Sequence, residues 1–378
     1  MKKILFIFGT RPEAIKMIPI IKELEISKAF EFEVCITAQH REMLDQVMNL
    51  FDVKADYDLN IMKPNQDLFD VTTNILTKLK YVLQTSKPDI VLVHGDTTTT
   101  FSASLASFYL KIPVGHVEAG LRTNDIYSPF PEEANRQLTS RLANFHFAPT
   151  QKSFDNLVSE GVNKESIFIT GNTVIDTLLI TKQNIENSEE IQARLSLHVE
   201  DNGYKLGDNK LFILVTGHRR ENFGQGFINI CKALKTIALN NKNIDIVYPL
   251  HLNPNVQTVV RKYLEDIDNI YLINPLDYEP FVHMMSKSYI ILTDSGGIQE
   301  EAPSLGKPIL VMRDTTERPE AVESGTVKLV GTNEKLIIKL TQELLDDKSV
   351  YESMAMVQNP YGDGTTSMQI IKSLQKVL

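Results

Sequence analysis

Along this chain, short apolar runs alternate with longer stretches whose apolar positions recur at helical spacing. Runs at 4–8, 32–37, 90–94, 113–117 and 145–148 each read as a buried strand followed by a helix. That alternation predicts an α/β fold of parallel sheets with helices on both faces. The pattern restarts at 211–215 and continues through 246–248, 270–273, 289–292 and 308–312, which predicts a second unit of the same kind. Between them, 181–210 is polar, rich in Asn, Glu, Lys and Ser, and carries Gly203 and Gly207. The expected domains are therefore 1–180 and 181–358, two Rossmann-like doubly wound sheets. Turn signals at 359–364 precede Met368, Ile371, Leu374 and Leu378 at helical spacing, predicting an amphipathic closing helix in 359–378 that crosses back to the first domain. Open α/β sheets bind ligands at the carboxyl ends of their strands, so two such edges facing each other predict one interdomain active-site cleft.

Composition narrows the function. With 42% apolar residues among 378, the chain supports about two globular domains at roughly 150 residues each. Lys and Arg total 39 against 48 Asp and Glu, a net charge of −9 that argues against a nucleic-acid partner. No apolar run approaches the roughly 18 residues of a membrane span, so no membrane partner is expected. The apolar start at 4–8 is interrupted by Arg11 and Glu13 before a signal-peptide core can form, which points to the cytoplasm. The two cysteines, Cys35 and Cys231, sit in apolar stretches and read as buried thiols of a reducing compartment.

Every chemically suggestive motif falls at a strand end. The first strand runs into GTRPEAIK at 9–16, where Gly9 permits a tight turn, Pro12 suits a first helical position, and Arg11 and Lys16 place two cations. The segment matches neither the phosphate-loop pattern nor the three-glycine dinucleotide pattern. Gly224-Gln225-Gly226 is a partial dinucleotide match with Asn229 at the third glycine position, and reads as a loop entering a helix. At 289–294 a buried strand ends in Ser295-Gly296-Gly297 before a helix carrying Glu301. Backbone amides there suit a diphosphate, and Glu301 suits ribose hydroxyls.

The strand at 90–93 ends in His94-Gly95-Asp96-Thr97, and the next ends in HVEAGLRT at 116–123. If the extended backbone continues, His94 shares a face with Asp96, and His116 with Glu118. Three readings stay open: a divalent-metal site, acid/base carboxylates at Asp96 and Glu118, or histidines that only pack. Glu132 opens a helical stretch, and His218 ends the first strand of the second unit, where an imidazole suits proton transfer near neutral pH.

These motifs, taken in order, resemble those of the non-hydrolysing UDP-N-acetylglucosamine 2-epimerases of bacteria, enzymes of the glycosyltransferase-B superfamily. The resemblance spans GTRPEAIKM at 9–17, HGDTTTT at 94–100, HVEAGLRT at 116–123, PEEANR at 131–136, GHRREN at 217–222, DSGGIQEEAPSLGKP at 294–308, RDTTERPEA at 313–321 and NPYGDG at 359–364. It implies a glycosyltransferase-B architecture, a homodimer, and reversible conversion of UDP-N-acetylglucosamine to UDP-N-acetylmannosamine without metal, nicotinamide or any other cofactor. It further implies that Arg11, Lys16, Phe281, Ser295, Gly296, Gly297, Glu301 and Arg318 bind UDP, and that Asp96, Glu118, Glu132 and His218 serve catalysis. Some relatives bind a second substrate molecule as activator; Gln39, Arg219 and His251 agree with that pocket, whereas Glu42 and Asn65 depart from it.

The implied chemistry accounts for the acids. No carbonyl acidifies C2 directly, so a simple enolate is unavailable and elimination of UDP to 2-acetamidoglucal, followed by re-addition, is the accessible route. Two faces of C2 then need two proton-transfer groups. The competing expectations are a hydrolysing 2-epimerase that releases N-acetylmannosamine and UDP, a related epimerase for a modified UDP sugar, a glycosyltransferase, and a catalytically silent UDP-sugar sensor.

Overall fold

The computed structural model describes the whole chain apart from residues 40, 64, 208 and 209, and at residue 220 the backbone alone. The chain divides into two compact units, Met1–Thr177 with Tyr361–Leu378, and Leu178–Pro360.

Unit 1 runs β1 (Lys3–Phe8), α1 (Arg11–Ser27), β2 (Glu31–Ile36), α2 (Arg41–Leu50), β3 (Tyr57–Asp58), α3 (Leu68–Ser86), β4 (Ile90–His94), α4 (Thr98–Tyr109), β5 (Val114–Val117), α5 (Glu132–Leu142), β6 (Phe145–Ala148), α6 (Gln151–Ser159) and β7 (Ile167–Ile169). The helix α7 (Thr173–Glu186) carries the chain out of it. The strands form one sheet of seven, ordered β3-β2-β1-β4-β5-β6-β7. Every pairing is parallel, which demands cover on both faces. β1 and β4 meet that demand with continuous apolar runs: Ile4 to Phe8 and Ile90 to Val93 are fully buried.

Unit 2 runs α8 (Glu189–Asp201), β8 (Phe212–Thr216), α9 (Gln225–Asn240), β9 (Asp245–Pro249), α10 (Pro254–Leu264), β10 (Ile270–Ile273), α11 (Tyr278–Lys287), β11 (Ile290–Thr293), α12 (Gly296–Glu301), β12 (Ile309–Val311), α13 (Pro319–Glu323), β13 (Val327–Leu329), α14 (Glu334–Asp346) and α15 (Lys348–Ala355). Its six strands, also wholly parallel, are ordered β10-β9-β8-β11-β12-β13. Ile213, Val215, Leu234, Ile246, Val260, Ile290, Leu292 and Leu310 belong to its core. A last helix, α16 (Thr366–Val377), belongs to unit 1 and buries Ile370, Ile371 and Leu374.

The fold class is the expected one, an α/β chain of two Rossmann-like parallel sheets. The predicted strands fall within a residue or two of the observed ones. Three were missed: β3, β7 and β13 lie at sheet edges and are only two or three residues long, too short to show a run. The polar stretch after residue 180 is no open linker, since α7 continues to Glu186 and α8 follows almost at once. Gly224 does introduce a helix, with a φ of 85° that favours glycine, ahead of α9. Cys35 and Cys231 are buried free thiols. Among the described residues, no helix is long and apolar enough to cross a membrane.

Candidate active site

In each sheet the strand order reverses at one place, between β1 and β4 in unit 1 and between β8 and β11 in unit 2. Outside the carboxyl ends of the strands at such a reversal, two loops diverge and leave a crevice, where open α/β sheets take ligands. The motif residues collect at these two points.

At the first, β1 turns through Gly9 and Thr10 into α1. A Cβ on Gly9 would lie 1.9 Å from Thr37 Oγ1, so no larger residue fits without moving β2's end. Arg11 opens α1, and among the described residues its guanidinium has no hydrogen-bond or ion-pair partner. Lys16 donates to Glu118 Oε1 in an ion pair largely shielded from solvent. Glu118 also accepts from Asn172 Nδ2 at 2.9 Å, and His94 Nε2 lies 3.6 Å from its second oxygen.

The expected sharing of faces fails here. Gly95 takes φ 67° and Glu118 φ 63°, so the extended backbone stops at both strand ends and alternation with it. Glu118 therefore turns toward Lys16 and His94 and away from His116. His116 spends Nε2 on the Gly95 carbonyl at 2.7 Å. Burial depresses both imidazoles, His94 to about 4 even though Glu118 draws it upward, and His116 to about 3. Both are neutral near pH 7. Among the described residues, no three His, Cys, Asp or Glu side chains gather as metal ligands. The two histidines are thus packed and buried beside the carboxylates.

Asp96 accepts from Arg136 Nη2 at 2.6 Å, and its carbonyl accepts from Asn135 Nδ2 at 2.9 Å. Arg136 also donates to the buried Glu133 at 3.0 Å. Both contacts come from α5, whose first residue is Glu132. The Glu132 carboxylate, half-buried, has no hydrogen-bond or ion-pair partner among the described residues. Unit 1 thus brings Arg11, Lys16, Asp96 and Glu118 to one crevice, and α5 ties its Glu132 end to Asp96 through Arg136.

At the second reversal, β8 and β11 end side by side, with Thr216 Oγ1 and Thr293 Oγ1 2.6 Å apart. Asp294, wholly buried, accepts the backbone N–H of His218 and of Arg219, each at 2.8 Å. His218 is about two-fifths exposed, its Nδ1 3.6 Å from Asp294 Oδ1. Burial lowers its pKa, Asp294 raises it, and His251 and Arg219 lower it again. The His251 ring stacks on it, centroids 5.0 Å apart and planes 9° from parallel.

After β11 the chain passes Ser295 into α12, whose first turn carries Gly296 and Gly297. A Cβ on Gly296 would stand 2.6 Å from Arg318 Nη1, which locates that guanidinium against the helix start. Arg318 is held by Glu300, Nε to Oε1 at 2.6 Å. Gly297 has nothing within 4 Å of its Cβ position. Glu301, at the end of α12, accepts from the Tyr278 hydroxyl at 3.3 Å. His218, Ser295, Gly296, Gly297, Glu301 and Arg318 thus cluster within unit 2. Phe281, one turn beyond Tyr278 on α11, is half-buried and stacks on no ring among the described residues. Gln39 lies in unit 1 just past β2, half-buried, whereas Arg219 and His251 belong to unit 2.

Sequence reasoning passed over Asp294, Arg136, Asn172 and Tyr278. Asp294 and Arg136 sit inside motifs, but nothing in a linear pattern shows which neighbours they hold. The final motif divides in two: Asn359 donates to the Glu300 carbonyl at 2.7 Å in unit 2, and Tyr361 O accepts Asn172 N–H at 2.7 Å in unit 1.

The chain is similar to known proteins over nearly its whole length. Residues 22–375 match the family described as UDP-N-acetylglucosamine 2-epimerase. A Campylobacter jejuni protein named UDP-N-acetylglucosamine 2-epimerase is 62% identical over 375 residues, 99% of this chain and 98% of its own. The protein so named in Escherichia coli strain K12 is 56% identical over 374 residues, 99% and 98% of the two chains. A crystal structure of UDP-GlcNAc 2-epimerase from Neisseria meningitidis, bound to UDP-GlcNAc, superimposes with a TM-score of 0.90 at 55% identity, covering 99% of this chain and all of that one.

Proposed function

The chain belongs to the UDP-N-acetylglucosamine 2-epimerase family, and from that premise we propose that it interconverts UDP-N-acetylglucosamine and UDP-N-acetylmannosamine without releasing free sugar. The observation that carries this reading is the pair of carboxylates, Asp96 and Glu118, at the β1/β4 reversal beside Arg11 and Lys16. Acids for proton transfer and cations for a diphosphate are what the reaction needs together.

In the proposed mechanism the C1–O bond to UDP breaks as a carboxylate takes the C2 proton, leaving 2-acetamidoglucal and UDP. UDP then re-adds at C1 while a second acid delivers a proton to the opposite face of C2. The sequence is redox-neutral and consumes no cofactor. Positive charge building at C1 is stabilised by Asp96, Glu118 and Glu132, and negative charge on the departing diphosphate by Arg11, Arg318, His218 and the amides of Ser295, Gly296 and Gly297. Lys16 pairs with Glu118 and fixes the position of its carboxylate. Glu301 takes the ribose hydroxyls and Phe281 the base. The glucal must be shielded from water until UDP re-adds.

We further propose a cytoplasmic homodimer that supplies N-acetylmannosamine units for surface polysaccharide, with Gln39, Arg219 and His251 forming a site for an activating substrate molecule. Support for self-association comes from exposed aromatics on neighbouring elements of unit 1: Phe69 and Tyr81 on α3, Phe108 and Tyr109 on α4.

Proton NMR of the protein with UDP-N-acetylglucosamine in D₂O tests the reaction. The reading requires UDP-N-acetylmannosamine bearing deuterium at C2. Free N-acetylmannosamine with UDP would establish the hydrolysing reaction instead, and bound but unchanged substrate would establish a sensor.

A further inference from the structure

Glu13 is 1% exposed, and its carboxylate is surrounded by donors. Oε2 accepts Gly9 N at 3.0 Å, Thr10 N at 2.8 Å and Thr10 Oγ1 at 2.8 Å. Oε1 accepts Thr97 Oγ1 at 2.6 Å and lies 3.3 Å from Thr100 Oγ1. One oxygen thus serves the turn after β1 and the other the turn after β4. Thr97 follows Asp96 directly, and its hydroxyl caps α4 by accepting Thr100 N at 3.1 Å. Burial pushes the Glu13 carboxyl up, while the bonds from Thr97, Gly9 and Thr10 draw it down. The Gly9 and Thr10 amides are therefore committed to an internal carboxylate, and the cations on this side are the Arg11 and Lys16 side chains.

We propose that Glu13 is a positioning residue which sets the Arg11–Lys16 turn against the Asp96 turn, fixing cations and acid in one frame. The inference rests on the epimerase reading above. Its path to Asp96 runs through the Thr97 hydroxyl, and its path to the cations through the amides of Gly9 and Thr10. Glu13 touches no reacting atom.

Three variants test it: Glu13→Gln, which keeps the volume but puts a donor where both turns supply donors, Thr97→Val, and Thr97→Ser. Steady-state kinetics, calorimetric titration with UDP and thermal melting are measured on each. Thr97→Val is expected to lower kcat by about tenfold or more with KM and UDP affinity within about twofold, and Thr97→Ser to restore it, since small misplacements of catalytic groups act on kcat. Glu13→Gln is expected to weaken UDP binding and lower kcat, each by roughly tenfold. Unchanged kcat and UDP affinity in both Thr97→Val and Glu13→Gln would overturn the proposal, as would a Thr97→Ser that behaves like Thr97→Val. Should Glu13→Gln fail to fold, the Thr97 pair alone decides. A wild-type protein without epimerase activity would defeat the epimerase reading instead; Glu13→Gln that then binds UDP like wild type would defeat this one as well.

Discussion

Asp294 holds His218 by its backbone: the buried carboxylate accepts the His218 N–H at 2.8 Å while facing its Nδ1 at 3.6 Å. The same oxygen takes the Arg219 N–H, so one acid fixes the loop after β8 and also biases the imidazole toward its protonated form. Asp294→Asn keeps the shape and removes the charge. With that upward pull gone, burial, His251 and Arg219 leave His218 titrating at lower pH. The pH–rate limb belonging to His218 should move in the acid direction, with kcat lower by about tenfold. A profile coinciding with wild type would mean that the charge on His218 plays no part in the departure of the diphosphate.

The proposed acids make a second prediction. Asp96→Asn, Glu118→Gln and Glu132→Gln should each lower kcat by about 10² to 10⁴ while UDP affinity stays within a few-fold, because removal of a general acid or base acts on the chemical step. Glu118→Gln has an added route to failure, since it also breaks the ion pair with Lys16. Near-normal turnover in any one variant removes that residue from the mechanism.

Gly297 offers a cleaner probe of the proposed diphosphate site than Gly296. Alanine at 296 strikes the Arg318 guanidinium, whereas alanine at 297 meets nothing within 4 Å. Gly297→Ala should therefore leave the melting temperature unchanged or raise it, helical Gly→Ala being worth roughly 0.5–1 kcal/mol. Yet its methyl would occupy the space into which a phosphate must come, and UDP affinity should fall by about tenfold or more. Wild-type affinity measured by calorimetry would move the diphosphate elsewhere.

Buried histidines set the acid limit of stability. Burial depresses His94, His146 and His283 to about 4 and His116 to about 3, against about 6.5 in the unfolded chain. Below about pH 6.5 the unfolded chain therefore binds protons that the folded chain refuses, and stability falls with pH until the folded values are reached. One such imidazole costs about 2 kcal/mol by pH 5. Glu13 and Asp176, raised by burial, pull the other way, but they are two acids against four histidines. The urea midpoint should be clearly lower at pH 5.0 than at pH 7.5; equal midpoints would mean that the imidazoles are solvated.

The architecture was legible because central parallel strands are apolar on both faces. β4, β6 and β9, for instance, were predicted near their observed bounds or on them. β13 was not, since a three-residue edge strand with Lys328 in its middle has no run to show. The site divides similarly. Strand-end motifs gave Asp96, Glu118 and the Ser295 turn, but the pairing of His116 with Glu118 failed on a single left-handed residue at 118, which only tertiary packing dictates. Asp294 and Glu13 escaped notice because their work is done on backbone amides, and amides leave no trace in composition.

The return of α16 to unit 1 has a bearing on how the molecule is born. Unit 2 is one uninterrupted stretch, Leu178–Pro360, while unit 1 takes chain from both sides of it. During synthesis α1 has no α16 to lie against, and the Asp176 carboxylate lacks the Ser367 N–H it accepts at 2.7 Å. The unit carrying Asp96 and Glu118 therefore waits, incomplete, until α16 has been made, and the unit carrying Ser295 and Glu301 is positioned to mature first.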